Sequence, residues 1–457
     1  MPIFPQRWSA RSVALTVLLQ CQEKEAFVQD LLDQNLKRAA LSPPDRRLAT
    51  QLAYGVLRRR GTLDALIQPA VHRERHRVEA WLWEALRLGA FQLALLTHIP
   101  RHAALFETVE LASDFETPRA KGFLNGVLRQ LTQLLTDDKV KEPAADALPL
   151  HDGEYRHLSR PALPDPATAP LDYLSTGFAW PRWLAERWHE RYGWSECLRL
   201  GFWFAGPAGF WLRVNPLRTD RAGLLDKLRQ ADIVVEPGEY PQAVRLCDFW
   251  PIRELPGYNE GLFTVQDEAA MEVADALGPQ PGWQVLDLCA APGGKATHLA
   301  ELMRDQGRVI ACDVDARRLR SVHESSERLG LTIVAPTLLK PEDEPPPGPF
   351  DAALVDVPCS NTGVLGRRPE ARWRLRPGDW THLVELQTRL LKQACERVRP
   401  GGVVVYSTCS IEPEENEQVV RAVLEAQPGF VLEEEKTSVP GRPADGGYRA
   451  RLRRRSE

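Results

Sequence analysis

A chain of 457 residues is long for one ordinary core and predicts two or three domains. Its 43% apolar and 26% charged residues describe a globular protein. No apolar run approaches the roughly 18 residues of a membrane span, which excludes a membrane-spanning role built on helices. The net charge of −4 hides an asymmetry, because residues 1–140 hold 19 Lys and Arg against 15 Asp and Glu. A mildly basic front part fits contact with nucleic acid. The opening MPIFPQRWSARS lacks the basic-then-apolar pattern of a secretory leader, so a cytoplasmic location is expected. Eight scattered cysteines without a C-x-x-C pair predict reduced thiols, no disulfide framework and no metal site.

Residues 1–140 read as helical throughout. In SPPDRRLATQLAYGVL, Ser42 is a cap, Pro43 stands in the first turn, and Leu48, Leu52 and Val56 share a face. The stretch VEAWLWEALRLGAFQLALL repeats the habit through Leu82, Leu86, Ala90 and Leu93, and KGFLNGVLRQLTQLL does so through Phe123, Val127, Leu131 and Leu134. Positive charge gathers at LRRRG (57–61) and HRERHR (72–77). Residues 141–170 contain six prolines and no sustained period, which predicts a linker. Residues 171–264 read as a small α+β unit, with FWLRVNP and QAVRLC as strands and DRAGLLDKLRQA as a helix. From 265 to 457 strands and helices alternate, beginning with WQVLDLC, KATHLAELM and RVIACDVD and ending with GVVVYS and EENEQVVRAVLEA. This alternation predicts a doubly wound parallel sheet whose ligands bind beyond the carboxyl ends of the strands.

The first strand of that region runs into DLCAAPGGKATH. Gly293 and Gly294 permit a tight turn into a helix whose first N–H groups are free. The pattern is not a phosphate-binding loop: Cys289 stands where the first glycine would be, and Ala296 replaces the magnesium-binding hydroxyl. Asp313 follows at the end of the second strand, where an acid can hold both hydroxyls of a ribose. A nucleoside ligand without a pyrophosphate suits S-adenosylmethionine. Two thiols, Cys359 and Cys409, stand just past apolar runs, where buried strands surface into loops. In GRRPEARWRLRP, the residues Arg367, Arg368, Arg372, Trp373 and Arg374 are expected to contact RNA phosphates and bases.

Three stretches, VLDLCAAPGGKATHLAEL, DVPCSNTGVLGRRPEARWRL and VVVYSTCSIEPEENEQVV, resemble in this order the RNA cytosine-5 methyltransferases, most closely the group acting on bacterial 16S ribosomal RNA. The front part resembles a NusB-like RNA-binding domain, and the segment with WLRVNP resembles a small RNA-recognition-like domain. The fold implied is an all-α NusB-like domain (1–140), a proline-rich linker (141–170), a small α+β domain (171–264), and a Rossmann-like methyltransferase domain (265–457). The resemblance implies that Cys409 is the nucleophile on carbon 6 of cytosine and that Cys359 assists product release. It gives Asp356 the amino group and N3 of the base, as well as a place near the cofactor, and sets Lys295 beside the methyl-transfer site. Its cofactor set for S-adenosylmethionine is Cys289, Ala290, Ala291, Pro292, Gly293, Gly294 and Lys295, with Asp313 and Asp356. The implied partner is RNA, either 16S ribosomal RNA or a small-subunit assembly particle. Transfer RNA as substrate, or a non-catalytic assembly factor with a vestigial fold, are the alternatives. Three positions depart from the family pattern. Thr337 stands where an acid holds the adenine amino group, Asn361 replaces glycine or alanine, and DGGYRARLRRR replaces an aromatic pair.

Overall fold

The structure is a computed structural model that describes residues 4–23, 26–71, 73–207, 209–247, 250–340, 343–442 and 444–456; His72 of the basic HRERHR run lies outside them. Two compact units divide the chain: Met1–Ala208 with Leu365–Arg374, and Gly209–Val364 with Leu375–Glu457. Among the described residues no helix is long and apolar enough to cross a membrane.

The first unit opens with six helices, Ala10–Glu23, Val28–Ala39, Pro43–Ile67, Ala80–Leu95, Arg101–Asp114 and Lys121–Leu134, packed around one apolar cluster. The third starts where the sequence signals it: the Ser42 hydroxyl accepts from the Asp45 N–H, with Pro43 at the first helical position. Of the predicted stripes, Leu52, Val56, Leu86, Ala90, Leu93, Val127, Leu131 and Leu134 are buried, and Leu48, Leu82 and Phe123 are partly so. The expected linker is instead ordered. Strands β1 (Leu135–Val140), β2 (Ala147–Pro149) and β3 (Tyr155–Leu158) form an antiparallel sheet in the order β1-β3-β2. Asp152 and Gly153, both at positive φ, turn β2 back into β3. An Asp-Gly pair is a hairpin signal, and the surrounding prolines masked it. Two further helices follow, Pro170–Gly177 and Arg182–Ala205, where Trp180 and Trp188 meet edge to face in the core.

In the second unit β4 (Phe210–Val214), β5 (Val235–Pro237), β6 (Ala243–Leu246) and β7 (Phe263–Val265) form an antiparallel sheet in the order β5-β6-β4-β7. The larger sheet comprises β8 (Gln284–Asp287), β9 (Arg308–Asp313), β10 (Val334–Leu338), β11 (Phe350–Asp356), β12 (Val398–Thr408), β13 (Phe430–Ser438) and β14 (Gly447–Arg454). Their order is β10-β9-β8-β11-β12-β14-β13. The first five run parallel, as the alternation predicts. The last two form an antiparallel hairpin on the edge of β12 that the sequence reading did not include. Side chains alternate between faces: Leu354 and Val405 enter one apolar cluster, while Ala353, Val355, Val404 and Tyr406 enter the other. The order reverses between β8 and β11, and such a switch point opens a crevice at the carboxyl ends of the strands. Asp287 and Asp356 stand at its two sides.

Candidate active site

The turn after β8 is built for close approach. Gly293 has φ +108°, and a Cβ there would meet Val322 Cα at 3.0 Å. Gly294, where a Cβ would lie 3.9 Å from the Gln266 side chain, begins the helix Gly294–Leu302. Backbone bonds pin the turn to the next strand, with Ala290 N donating to Cys312 O at 2.8 Å. Ala290 and Ala291 are buried, Pro292 is exposed, and the Cys289 thiol is pushed well up by burial and then by Asp287, which makes it an inert lining group. Asp313 accepts from Ala291 N at 3.2 Å and from Asp315 N at 2.9 Å. Each of its oxygens keeps a second lone pair for a ligand hydroxyl.

Asp356 ends β11 opposite Ser407 of β12. Ser407 Oγ donates to its Oδ1 at 2.6 Å, and Lys295 Nζ lies 2.7 Å from Oδ2. Burial pulls the Lys295 ammonium down, but the charge and hydrogen bond of Asp356, with the charge of Cys409, carry it above the usual lysine value. Lys295 is therefore a fixed cation within electrostatic reach of Cys409.

The two thiols, fifty residues apart in sequence, meet at 3.2 Å between their sulfurs. Adjacent parallel strands explain this, since β11 and β12 end side by side and each loop opens with its cysteine. Asn361 bridges them, its amide donating to Cys359 O at 2.8 Å and its oxygen accepting from Cys409 Sγ at 3.3 Å. The Cys359 thiol is pushed well up by its hydrogen bond to Cys409, by burial, and by the charges of Cys409 and Glu415. It is a proton-bearing neighbour for the second sulfur.

The expected RNA contacts are corrected at one position. Arg372 is fully buried, and its guanidinium donates to the carbonyls of Arg58, Phe178, Phe204 and Leu365 at 3.0–3.2 Å. Burial lowers its pKa to about 9. A side chain that satisfies four carbonyls inside the first unit is not placed to meet a phosphate. Trp373 Nε1 donates to Leu57 O, Arg374 donates to Ala26 O, and Arg368 lies over the Phe27 ring. Arg367 is half-buried.

Sequence reasoning missed Asp287 and Glu415. Asp287 is fully buried, and neither of its carboxylate oxygens makes a hydrogen bond of good geometry, the nearby Cys289 N–H giving only a weak pull. Its only sequence signal is an acid closing an apolar strand immediately before the glycine turn. Glu415 sits in an acidic run that reads as solvated surface.

Comparison with known proteins bears on this site. Residues 9–133 match the NusB family, 180–253 match the RsmF/B-like ferredoxin-like domain, and 274–448 match the 16S rRNA methyltransferase RsmB/F family. A probable ribosomal RNA small subunit methyltransferase B from Synechocystis sp. is 35% identical over 91% of this chain and 89% of its own length. The Bacillus subtilis protein of the same description is 33% identical over 93% and 90%. Ribosomal RNA small subunit methyltransferase B of Yersinia pseudotuberculosis is 35% identical over 96% of both chains. Among solved structures, PH0851 matches with a TM-score of 0.78 at 26% identity, covering 98% of this chain and 99% of that one. A methyltransferase homolog protein from Pyrococcus horikoshii matches with a TM-score of 0.53 at 28% identity, over 60% of this chain and 95% of that one. With such likeness over nine-tenths of its length, the chain belongs to the 16S rRNA methyltransferase RsmB/F family.

Proposed function

We propose that this methyltransferase places a methyl group on carbon 5 of a cytosine in RNA, through a transient bond between Cys409 and carbon 6. The observation that carries this reading is the contact between two thiols at 3.2 Å, at the ends of adjacent strands beside the Asp356–Lys295 pair. The relatives' names point to small-subunit ribosomal RNA as the substrate, naked or in an assembly particle.

The residues at the switch point fit S-adenosylmethionine. The turn at Gly293 and Gly294 leaves room for a ligand, and Asp313 can hold ribose hydroxyls. The buried Asp287 carboxylate, without a hydrogen bond of good geometry, offers a seat for an ammonium group. Val314 and Leu338, 63% and 51% exposed at the ends of β9 and β10, would give the adenine ring apolar contact where Thr337 replaces an acid. When bound, S-adenosylmethionine supplies a methyl group on a sulfonium, which leaves as a neutral thioether.

Carbon 5 of cytosine is a poor nucleophile. Addition of the Cys409 thiolate to carbon 6 forms an S–C bond and moves the C5–C6 π pair onto carbon 5, which then takes the methyl group. Asp356 accepts from the base's amino group and orients the ring, while the Lys295 ammonium beside it offsets the negative charge that addition brings to the ring. The carbon-5 proton afterwards passes to solvent. The C–H pair re-forms the double bond, and the S–C bond breaks to return the Cys409 thiolate. Cys359, held protonated, donates to the departing sulfur. The base must leave its stack to reach this pocket, and single-stranded RNA makes that cheaper.

The test is methylation of 16S ribosomal RNA with labelled S-adenosylmethionine, followed by nuclease digestion and mass spectrometry. Label in 5-methylcytidine is expected, while label on another base or on ribose overturns the reading. Cys409→Ala should lose at least about 10³-fold in rate. Cys359→Ala should accumulate RNA-linked enzyme on a denaturing gel.

A further inference from the structure

Glu415 is fully buried, and among the described residues no cationic side chain pairs with it. Its Oε1 accepts from Ser360 N and Gln387 Nε2, each at 2.9 Å. Its Oε2 accepts from Ser410 Oγ at 2.5 Å and from Ser360 Oγ. Ser360 directly follows Cys359, and Ser410 directly follows Cys409. One carboxylate thus gathers the residues next to both thiols, from loops that leave different strands. Neighbouring bonds lock the same seam: Gly363 N donates to Cys409 O at 2.9 Å, and Ile411 N donates to Thr362 Oγ1 at 3.1 Å. The Tyr406 hydroxyl in turn fixes the backbone of Glu415, donating to its carbonyl at 2.5 Å. A buried carboxylate is costly unless its lone pairs are met, and here four donors meet them.

We propose that Glu415 is a positioning residue for the two thiols: by drawing Ser360 and Ser410 onto one carboxylate it fixes the contact between the Cys359 and Cys409 sulfurs. Its consequence for catalysis rests on the functional reading above. The contact keeps a proton-bearing sulfur against the attacking one, and the charge of Glu415 adds to what holds that proton on Cys359. The two sulfurs, chemically alike, are thereby given different work by an acid that touches neither.

The test compares alkylation of the two thiols by iodoacetamide at pH 8 in the full chain, read by mass spectrometry of the Cys359 and Cys409 peptides. Wild type, Glu415→Gln and Ser410→Ala are compared. Only thiolate reacts, so Glu415→Gln should raise the Cys359-to-Cys409 rate ratio about tenfold, one pKa unit's worth. Ser410→Ala, which frees one loop and keeps the charge, should raise it by about threefold. A merely structural role would change both rates together and leave the ratio unmoved. A ratio within about twofold of wild type in folded Glu415→Gln, or in Ser410→Ala should Glu415→Gln not fold, overturns the proposal. Alkylation needs no RNA. A wild type that makes no 5-methylcytosine therefore sinks the functional reading, while the ratio still judges Glu415.

Discussion

Neither oxygen of the Asp287 carboxylate makes a hydrogen bond of good geometry, and burial, with the charge of Asp356 next, outweighs the Lys295 charge and the nearby Cys289 N–H and pushes its pKa up to about 8. In an unfolded chain the same group titrates near 4. Below that pH both states carry the proton and the residue costs nothing. As pH rises toward 8 the unfolded chain releases its proton while the folded one retains it, so stability falls across that window. Asp287→Asn cannot titrate. Its melting temperature without cofactor should match wild type near pH 4 and exceed it by roughly 5 °C or more at pH 8. Calorimetry should show S-adenosylmethionine binding weakened at least about tenfold in the same variant, since a uniformly charged ligand group loses its buried counter-charge. Equal melting differences at both pH values would contradict this account. A group that costs stability in the free protein is the kind retained for a ligand. Such a residue is hard to read from sequence, because nothing in WQVLDLC tells whether a donor will arrive from elsewhere in the fold. The thiols are the opposite case. Each stands just past an apolar run, and that position alone marks Cys359 and Cys409 as unusual.

Among the elements, β4 does more than complete its own small sheet. Its Arg213 is fully buried and donates to Glu301 at 2.7 and 2.9 Å, to Thr297 Oγ1 at 3.0 Å and to Gly294 O at 2.6 Å. All three partners belong to the helix that follows the glycine turn, so one strand of the smaller sheet steadies the helix Gly294–Leu302. Removing the cation strands a buried carboxylate. Arg213→Ala should therefore cost about 3–5 kcal/mol in urea unfolding, and a second change, Glu301→Leu, should recover much of it. Periodicity made most elements legible. The helix stripes and parallel strands were readable because each carries its own apolar face. The three-stranded sheet at 135–158 and the hairpin β13–β14 were not. The first was hidden by prolines, of which Pro143 lies between β1 and β2, Pro149 ends β2 and the rest follow β3. In the second, β14 alternates Arg with small and apolar residues against an acidic β13, and its stability includes cross-strand ion pairs such as Arg451–Glu433 and Arg449–Glu434 that exist only once the strands pair.

At the scale of the whole molecule, the division into units does not follow the order of the chain. Leu365–Arg374 comes from the middle of the methyltransferase sequence, yet it belongs to the helical unit, where Arg372 caps four carbonyls. Composition could not show this, because five arginines beside a reactive loop look like a surface for RNA whether or not one of them is swallowed by a neighbour. Arg372→Ala should lower the stability of the helical unit by about 2–4 kcal/mol, because buried carbonyls lose a charged donor. Hydrogen exchange at residues 57–62 and 176–205 is the measurement, and unchanged protection there would count against the anchor. The consequence reaches to dissection of the protein. A protease nick near residue 208 severs one crossing of three, so the halves should travel together through a sizing column. A fragment ending at 207 would lack a piece of its own interior, and only a ten-residue peptide borrowed from its missing other half could make it whole.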